Sequence, residues 1–156
     1  MVDWYARKQP HVCRSTFAAE LHGALDAHGQ ALIVQHLLTE IMQGPASPSE
    51  LARLQSAGQL KPPLHVCIDA RSVYDAITAP RFSTPADRTM AIHVLAFREF
   101  VRDGLVHTLW WIDTVDMLAD GMTKGAVDRR ALIAVSSDGR WQFFGDAPAY
   151  SRHPSA

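Results

Sequence analysis

The stretch LHVCIDARSVYDAI, residues 64–77, decides the fold class. Leu64, Val66 and Ile68 alternate with other residues, the period of a strand with a buried face. After Asp69 the pattern becomes helical over ARSVYDAI. A strand that turns straight into a helix is the start of a crossover unit, so the chain reads as α/β with at least some parallel pairing. Asp69 ends the strand, and open α/β sheets bind ligands outside the carboxyl ends of their strands. Aspartate is also a preferred helix N-cap. From this stretch alone, Asp69 is either a working carboxylate or a cap.

Working outward, residues 2–8 (VDWYARK) read as a short strand. Ser15 or Thr16 then caps a long helix that should run to about Met42, with Phe17, Leu21, Ala24, His28 and Leu32 on its buried stripe. Residues 44–63 are rich in Gly, Pro and Ser and read as an insertion. Within it Ser47, Pro48 and Glu50 form a capping box on a short helix that Gly58 ends. After the 64–77 unit, Thr84 and Pro85 are expected to open a helix with Met90, Val94, Phe97 and Val101 in the core, ended by Gly104. LVHTLWWI is the next strand, and DTVDMLADGMTKG a short helix capped by Asp113 or Thr114. RALIAVSSDGRWQFF should hold a helical turn or strand, a turn at Asp138-Gly139 and a last strand. The expected organisation is one domain, 1–145, with a disordered tail, 146–156.

Composition narrows the function classes. The chain has 156 residues, 47% hydrophobic and 20% charged, with a net charge of −1. That is a globular balance with enough length for one core. It lacks the basic excess common in duplex-binding domains, so local clusters must carry any nucleic-acid contact. Cys13 and Cys67 are too few for a disulfide framework and read as small hydrophobes. No apolar run is long enough to span a bilayer, and the start has no signal-peptide pattern. The expected location is intracellular, in cytoplasm or nucleus, with no membrane partner. The eight histidines include no pair at compact zinc spacing. There is no Gly-rich phosphate loop, Gly-x-Ser-x-Gly elbow or Cys-x-x-Cys.

Three acids on three elements remain. Glu20 lies one turn into the first helix, near the buried stripe. A carboxylate there costs several kcal/mol unless compensated, or else reaches water at the stripe edge. Asp69 ends a strand. Asp120 sits on the short helix after the last long strand, with Asp116 four residues before it and Lys124 four after, the spacing of a solvated ion pair. Three carboxylates around one sheet are also the donor set of a magnesium site, which favours oxygen ligands.

Four stretches, in order, resemble the ribonuclease H domain at the end of Ty1/copia-type retrotransposon polyproteins. WYARKQPHVCRSTFAAELHGAL resembles that family's Trp-x-x-Lys-Lys-Gln strand and the Ser-Ser-x-Glu-Ala-Glu-Tyr-x-Ala-Leu after it. HVCIDARSVYDAI resembles its Cys-Asp-Asn-x-Ser-Ala-Ile. DRTMAIHVLAFREFVRDGLV resembles its Arg-Thr-Lys-His-Ile-Asp and following helix. WIDTVDMLADGMTKG resembles its Tyr-Val-Pro-Thr-x-x-Gln-x-Ala-Asp-x-x-Thr-Lys, and this last stretch is the most specific. The match covers about residues 2–125. Ala18, Ala70 and Asp113 stand where the family often has Glu, Asn and Pro, and RTMAIHV lacks the Lys-His pair. The family's first two strands, one bearing a further metal-binding aspartate, have no counterpart here, and Asp3 is a poor substitute.

The resemblance implies a ribonuclease H-like mixed sheet flanked by helices, lacking the first two strands. It implies that Glu20, Asp69 and Asp120 hold magnesium or manganese and hydrolyse RNA in an RNA–DNA hybrid. A reverse transcriptase domain would be a partner within a polyprotein. Arg88, Arg98 and Arg102, on or beside one helix, are candidates for phosphate contact, with a solvated helix face as the competing reading. Self-association through the open sheet edge is a further expectation. The alternative function is a domesticated or relic domain that binds nucleic acid or protein without catalysis.

Overall fold

The protein was analysed as a computed structural model, in which residues 13–151 are described. The expected strand at 2–8, with Asp3, Arg7 and Lys8, lies outside the described residues.

Ser15 accepts from the Ala18 amide and starts α1, Thr16–Gln43. Ser47 does the same for Glu50 at the start of α2, Pro48–Ser56, which is the serine half of the expected capping box; the Glu50 carboxylate pairs with Arg53 instead. Then come β1, His65–Ile68, and α3, Arg71–Thr78. A 3-10 turn at Arg88–Met90 leads into α4, Ala91–Arg102. β2 is Thr108–Trp111, followed by a 3-10 turn at Thr114–Asp116 and by α5, Leu118–Thr123. α6 spans Arg130–Asp138, and β3 is Ala149–Tyr150. Among the described residues the sheet has the order β1-β2-β3. β1 and β2 are parallel, with Ile68 beside Trp111, and β3 runs antiparallel to β2. The chain is therefore mixed α/β, with the parallel pairing that residues 64–77 require.

The core is one cluster. Leu21 of α1, Val73 and Ile77 of α3, Val94 and Phe97 of α4 and Leu109 of β2 are fully buried in it. Met90, Val94, Phe97 and Val101 are all inside, as their spacing predicts. The start of that helix differs from expectation. Thr84 and Pro85 precede it in extended loop, and Asp87 caps the 3-10 turn through its contact with the Thr89 amide. On α1, Phe17 is half-buried, and the stripe continues beyond His28 through Gln35 and Thr39 rather than Leu32.

Those two polar residues explain how the insertion attaches. Gln35 donates to the Pro62 carbonyl, and Thr39 donates to the Lys61 carbonyl while accepting from its amide. No residue of α2 is buried, but Leu60 is. Residues 44–63 thus have a peripheral helix and an inner strap bound to α1.

The C-terminal part also departs from expectation. The segment 130–138 is a helix ended by Gly139 in the left-handed region, φ 67°. Residues 141–144 do not form the expected last strand, and within the expected disordered tail Ala149–Tyr150 pairs with β2. Trp110 packs on Phe143, with ring centroids 5.5 Å apart, so it lies beneath this returning segment.

His28 is a buried titratable group of the core. It stacks on Phe100 at 4.3 Å, and among the described residues no hydrogen-bond partner reaches its Nε2. Burial pushes its pKa below 6.5. Between that ordinary value and the lower folded value, the unfolded chain binds a proton that the folded chain does not. Stability therefore falls as pH drops through this window. His65, lowered by burial and by His107, acts in the same direction. Urea midpoints should fall between pH 7.5 and 5.5, and less steeply in His28→Leu. An equal slope in the variant would remove His28 from the account.

Candidate active site at the carboxyl end of β1

Asp69 is not a cap. The N-cap position of α3 is Ala70, and no side chain caps that helix. One of the two readings of residues 64–77 is thereby removed.

The Asp69 main chain is held tightly. The Ile68 carbonyl accepts from the Ile112 amide at 2.9 Å, continuing the parallel ladder past β2. The Asp69 carbonyl accepts from the Trp111 indole Nε1 at 3.0 Å. Arg71 lies over the Trp111 ring, 4.9 Å from its centroid, and pairs with Asp75 at 3.0 Å. A half-buried carboxylate is thus presented on a fixed backbone, which is what a site of defined geometry needs.

Glu20 and Asp120 approach from α1 and α5. Glu20 is exposed at the edge of the α1 stripe, as the water-reaching alternative expects. Its partial desolvation raises its pKa, and the charges of Asp69 and Asp120 raise it further, against the lowering effect of Lys124. Like charges do this only at short range, so the three carboxylates share one electrostatic neighbourhood. Asp120 is 9% exposed, and its Oδ2 accepts from Lys124 Nζ at 2.7 Å. That bond raises the Lys124 pKa, and Asp120, Asp69 and Glu20 add to it through their charge. The i,i+4 ion pair expected from the sequence is present, and its lysine faces all three acids.

Hard carboxylate oxygens suit magnesium or manganese in donor type. Among the described residues, however, no three His, Cys, Asp or Glu side chains are grouped closely enough to hold a metal ion as they stand. The ammonium of Lys124 supplies the neutralising charge in this arrangement.

The arginines do not form one surface. Arg98 donates to the Ala76 carbonyl and ties α4 to α3. Arg102 pairs with Asp103 at 2.9 Å and with Glu99 at 3.7 Å, as a solvated helix face would. Arg88 is exposed on the 3-10 turn, beside a cleft of about 710 Å³ that Arg14, Phe17 and Asp75 also line. Burial pushes the Cys67 thiol up to about 12, so it packs as a small hydrophobe and offers no nucleophile.

Two residues that matter to this end of the sheet escaped the sequence reading. Trp111 is legible in the sequence only as a strand residue, and its indole bond to the Asp69 carbonyl has no sequence signature. Asp116 was read as a neighbour of Asp120. It is instead fully buried and accepts from the Phe144 amide with both oxygens and from the Gly145 amide with Oδ2.

Compared with protein-family models, curated proteins and solved structures, the chain matches none. Among the described residues no helix is long and apolar enough to cross a membrane.

The shared field makes a direct expectation. In Asp69→Asn one of the charges raising the Glu20 pKa is gone, so the Glu20 carboxyl should titrate at lower pH. Carbon-detected NMR titration of the side-chain carboxyls reads this. An unchanged Glu20 titration would mean that the two acids are too far apart to share a site.

Proposed function

We propose that the protein is a ribonuclease H-like nuclease whose Glu20, Asp69 and Asp120 carboxylates hold magnesium or manganese and whose substrate is the RNA strand of an RNA–DNA hybrid. The observation that carries the proposal is the place of Asp69, at the carboxyl end of a parallel strand and capping no helix. The 2.7 Å ion pair of Asp120 with Lys124, and the raised pKa of Glu20, whose causes after burial include the charges of Asp69 and Asp120, support bringing the other two acids to the same site. The resemblance of four ordered motifs, and the parallel pairing of β1 with β2, support the ribonuclease H-like fold on which this rests.

Bound there, a divalent cation would activate water and stabilise the leaving oxygen of a phosphodiester. The chain's own residues prepare the place. Trp111 fixes the Asp69 backbone. Burial of Asp120 keeps one acid partly shielded from water, which strengthens its interaction with any cation. Lys124 balances the acids and must yield Asp120 when a metal binds. Arg88, the one of the three candidate arginines whose side chain makes no ion pair or hydrogen bond among the described residues, would be the readiest to meet a phosphate; Arg98 and Arg102 would have to exchange existing partners.

A second reading is a binding module that keeps the fold without catalysis. The ion pair that already occupies Asp120 with Lys124 favours it. Cleavage assays on labelled RNA–DNA hybrid, RNA duplex and DNA duplex, with magnesium and then manganese, separate the two. Metal-dependent cleavage of hybrid alone supports the nuclease. Hybrid binding without cleavage supports the module.

A further inference from the structure

The C-terminal half of α1 buries one face against the protein and exposes large apolar side chains on the opposite one. The first carries Gln35 and Thr39 against the 61–63 strap, with His28 under Phe100 before them. On the other, Ile33 is 65% exposed, Leu37 50% and Ile41 66%. Three large side chains at these exposures leave about 300 Å² of apolar surface, the size at which a patch marks an interaction site. The stretch 27–39, AHGQALIVQHLLT, contains no Asp, Glu, Lys or Arg. Charge depletion of this kind distinguishes interface cores from ordinary surface.

We propose that this stripe is a homodimer interface in which α1 packs antiparallel on α1 of a second copy, with the two-fold axis at Leu37. The pattern itself selects a second copy as the occupant. Ile33, Leu37 and Ile41 are spaced four apart and read the same in both directions. An antiparallel copy places Ile33 on the partner's Ile41, Leu37 on the partner's Leu37 and Ile41 on the partner's Ile33, the reciprocity an isologous contact requires. A single ridge of residues four apart is also the feature that interdigitates when helices cross near −50°.

The nearest charges along α1 itself do not oppose the pairing. The Glu40 carboxylate is turned back onto the Ala46 amide at 3.2 Å. Asp26 lies eleven residues from the axis, which sets the two copies roughly 33 Å apart along antiparallel helices. With the flanking polar residues, two copies would bury on the order of 1,000 Å² in total, the low end for a specific complex. The dimer is therefore expected to be concentration-dependent, separate from the sheet edge, and independent of the carboxylate site.

Sedimentation velocity of the purified chain across a hundredfold concentration range tests this. The wild type should shift from monomer towards dimer as concentration rises. Leu37→Arg, which places two like charges at the axis, should stay monomeric throughout, with circular dichroism confirming its fold. Leu37→Cys should crosslink to itself under mild oxidation. Ile33→Cys should crosslink well only when mixed with Ile41→Cys. Wild type under the same oxidant controls for Cys13 and Cys67. A wild type monomeric at every concentration, or a dimer that survives Leu37→Arg, overturns the proposal.

Discussion

Asp116→Ala should destabilise the fold by about 3 kcal/mol, because it removes a buried carboxylate and its charge-assisted hydrogen bonds from two backbone amides, each typically about 1.5–3 kcal/mol. The Asp116 carboxylate holds the amides of Phe144 and Gly145 and is itself fully buried. Gly145 fits only because it has no side chain: a Cβ there would lie 2.9 Å from Asp113 Cβ. The anchor directs the chain back so that Phe143 packs on Trp110 and Ala149–Tyr150 pairs with β2. For a chain of this length such a loss corresponds to a melting point roughly 10 °C lower. Thermal unfolding by circular dichroism measures it. A change within about 0.5 kcal/mol, the range of ordinary surface substitutions, would mean that the 143–150 segment does not depend on this carboxylate.

The second large effect is on activity. Asp69→Asn should abolish hybrid cleavage while leaving the melting point nearly unchanged, since Asp69 caps nothing and its backbone bonds do not involve the side chain. The change keeps shape and removes one of three charges. The wild-type activity is expected to be weak and to need millimolar metal, because Lys124 already neutralises Asp120 and the acids are not drawn together. Removing that competitor in Lys124→Met should lower the metal concentration at half-maximal rate several-fold. Cleavage that survives Asp69→Asn would place the activity at another site or in a contaminant. An inactive wild type that still binds hybrid would select the binding module.

Much of the fold was legible because local patterns and tertiary burial agree. The alternation of Leu64, Val66 and Ile68, the α4 stripe, and the caps at Ser15 and Ser47 all encode choices made over a few residues. Other features depend on distant partners. Thr84-Pro85 is a sound helix start locally, but Asp87 provides the cap used. Residues 146–151 have no strand pattern of their own; the Asp116 anchor brings them to β2. Gln35 and Thr39 lie on the buried stripe because the 61–63 backbone satisfies them, which periodicity cannot show. For the site, each acid alone had an ordinary structural explanation. What distinguishes Asp69 is that its N-cap explanation fails in three dimensions, and what distinguishes Glu20 is the field of two acids from other elements. The hydrogen bond from Trp111 to Asp69 spans 42 residues and leaves no trace in either local stretch.

The central claim is that Glu20, Asp69 and Asp120 together receive a divalent cation. Paramagnetic broadening of side-chain carboxyl NMR signals by substoichiometric manganese tests it most directly. The account predicts that these three carboxyls broaden first and together, that excess magnesium reverses the effect, and that Asp69→Asn weakens it for Glu20 and Asp120 as well. Broadening spread evenly over exposed acids such as Glu50, Glu99 and Asp138, with no preference for the three, would contradict it.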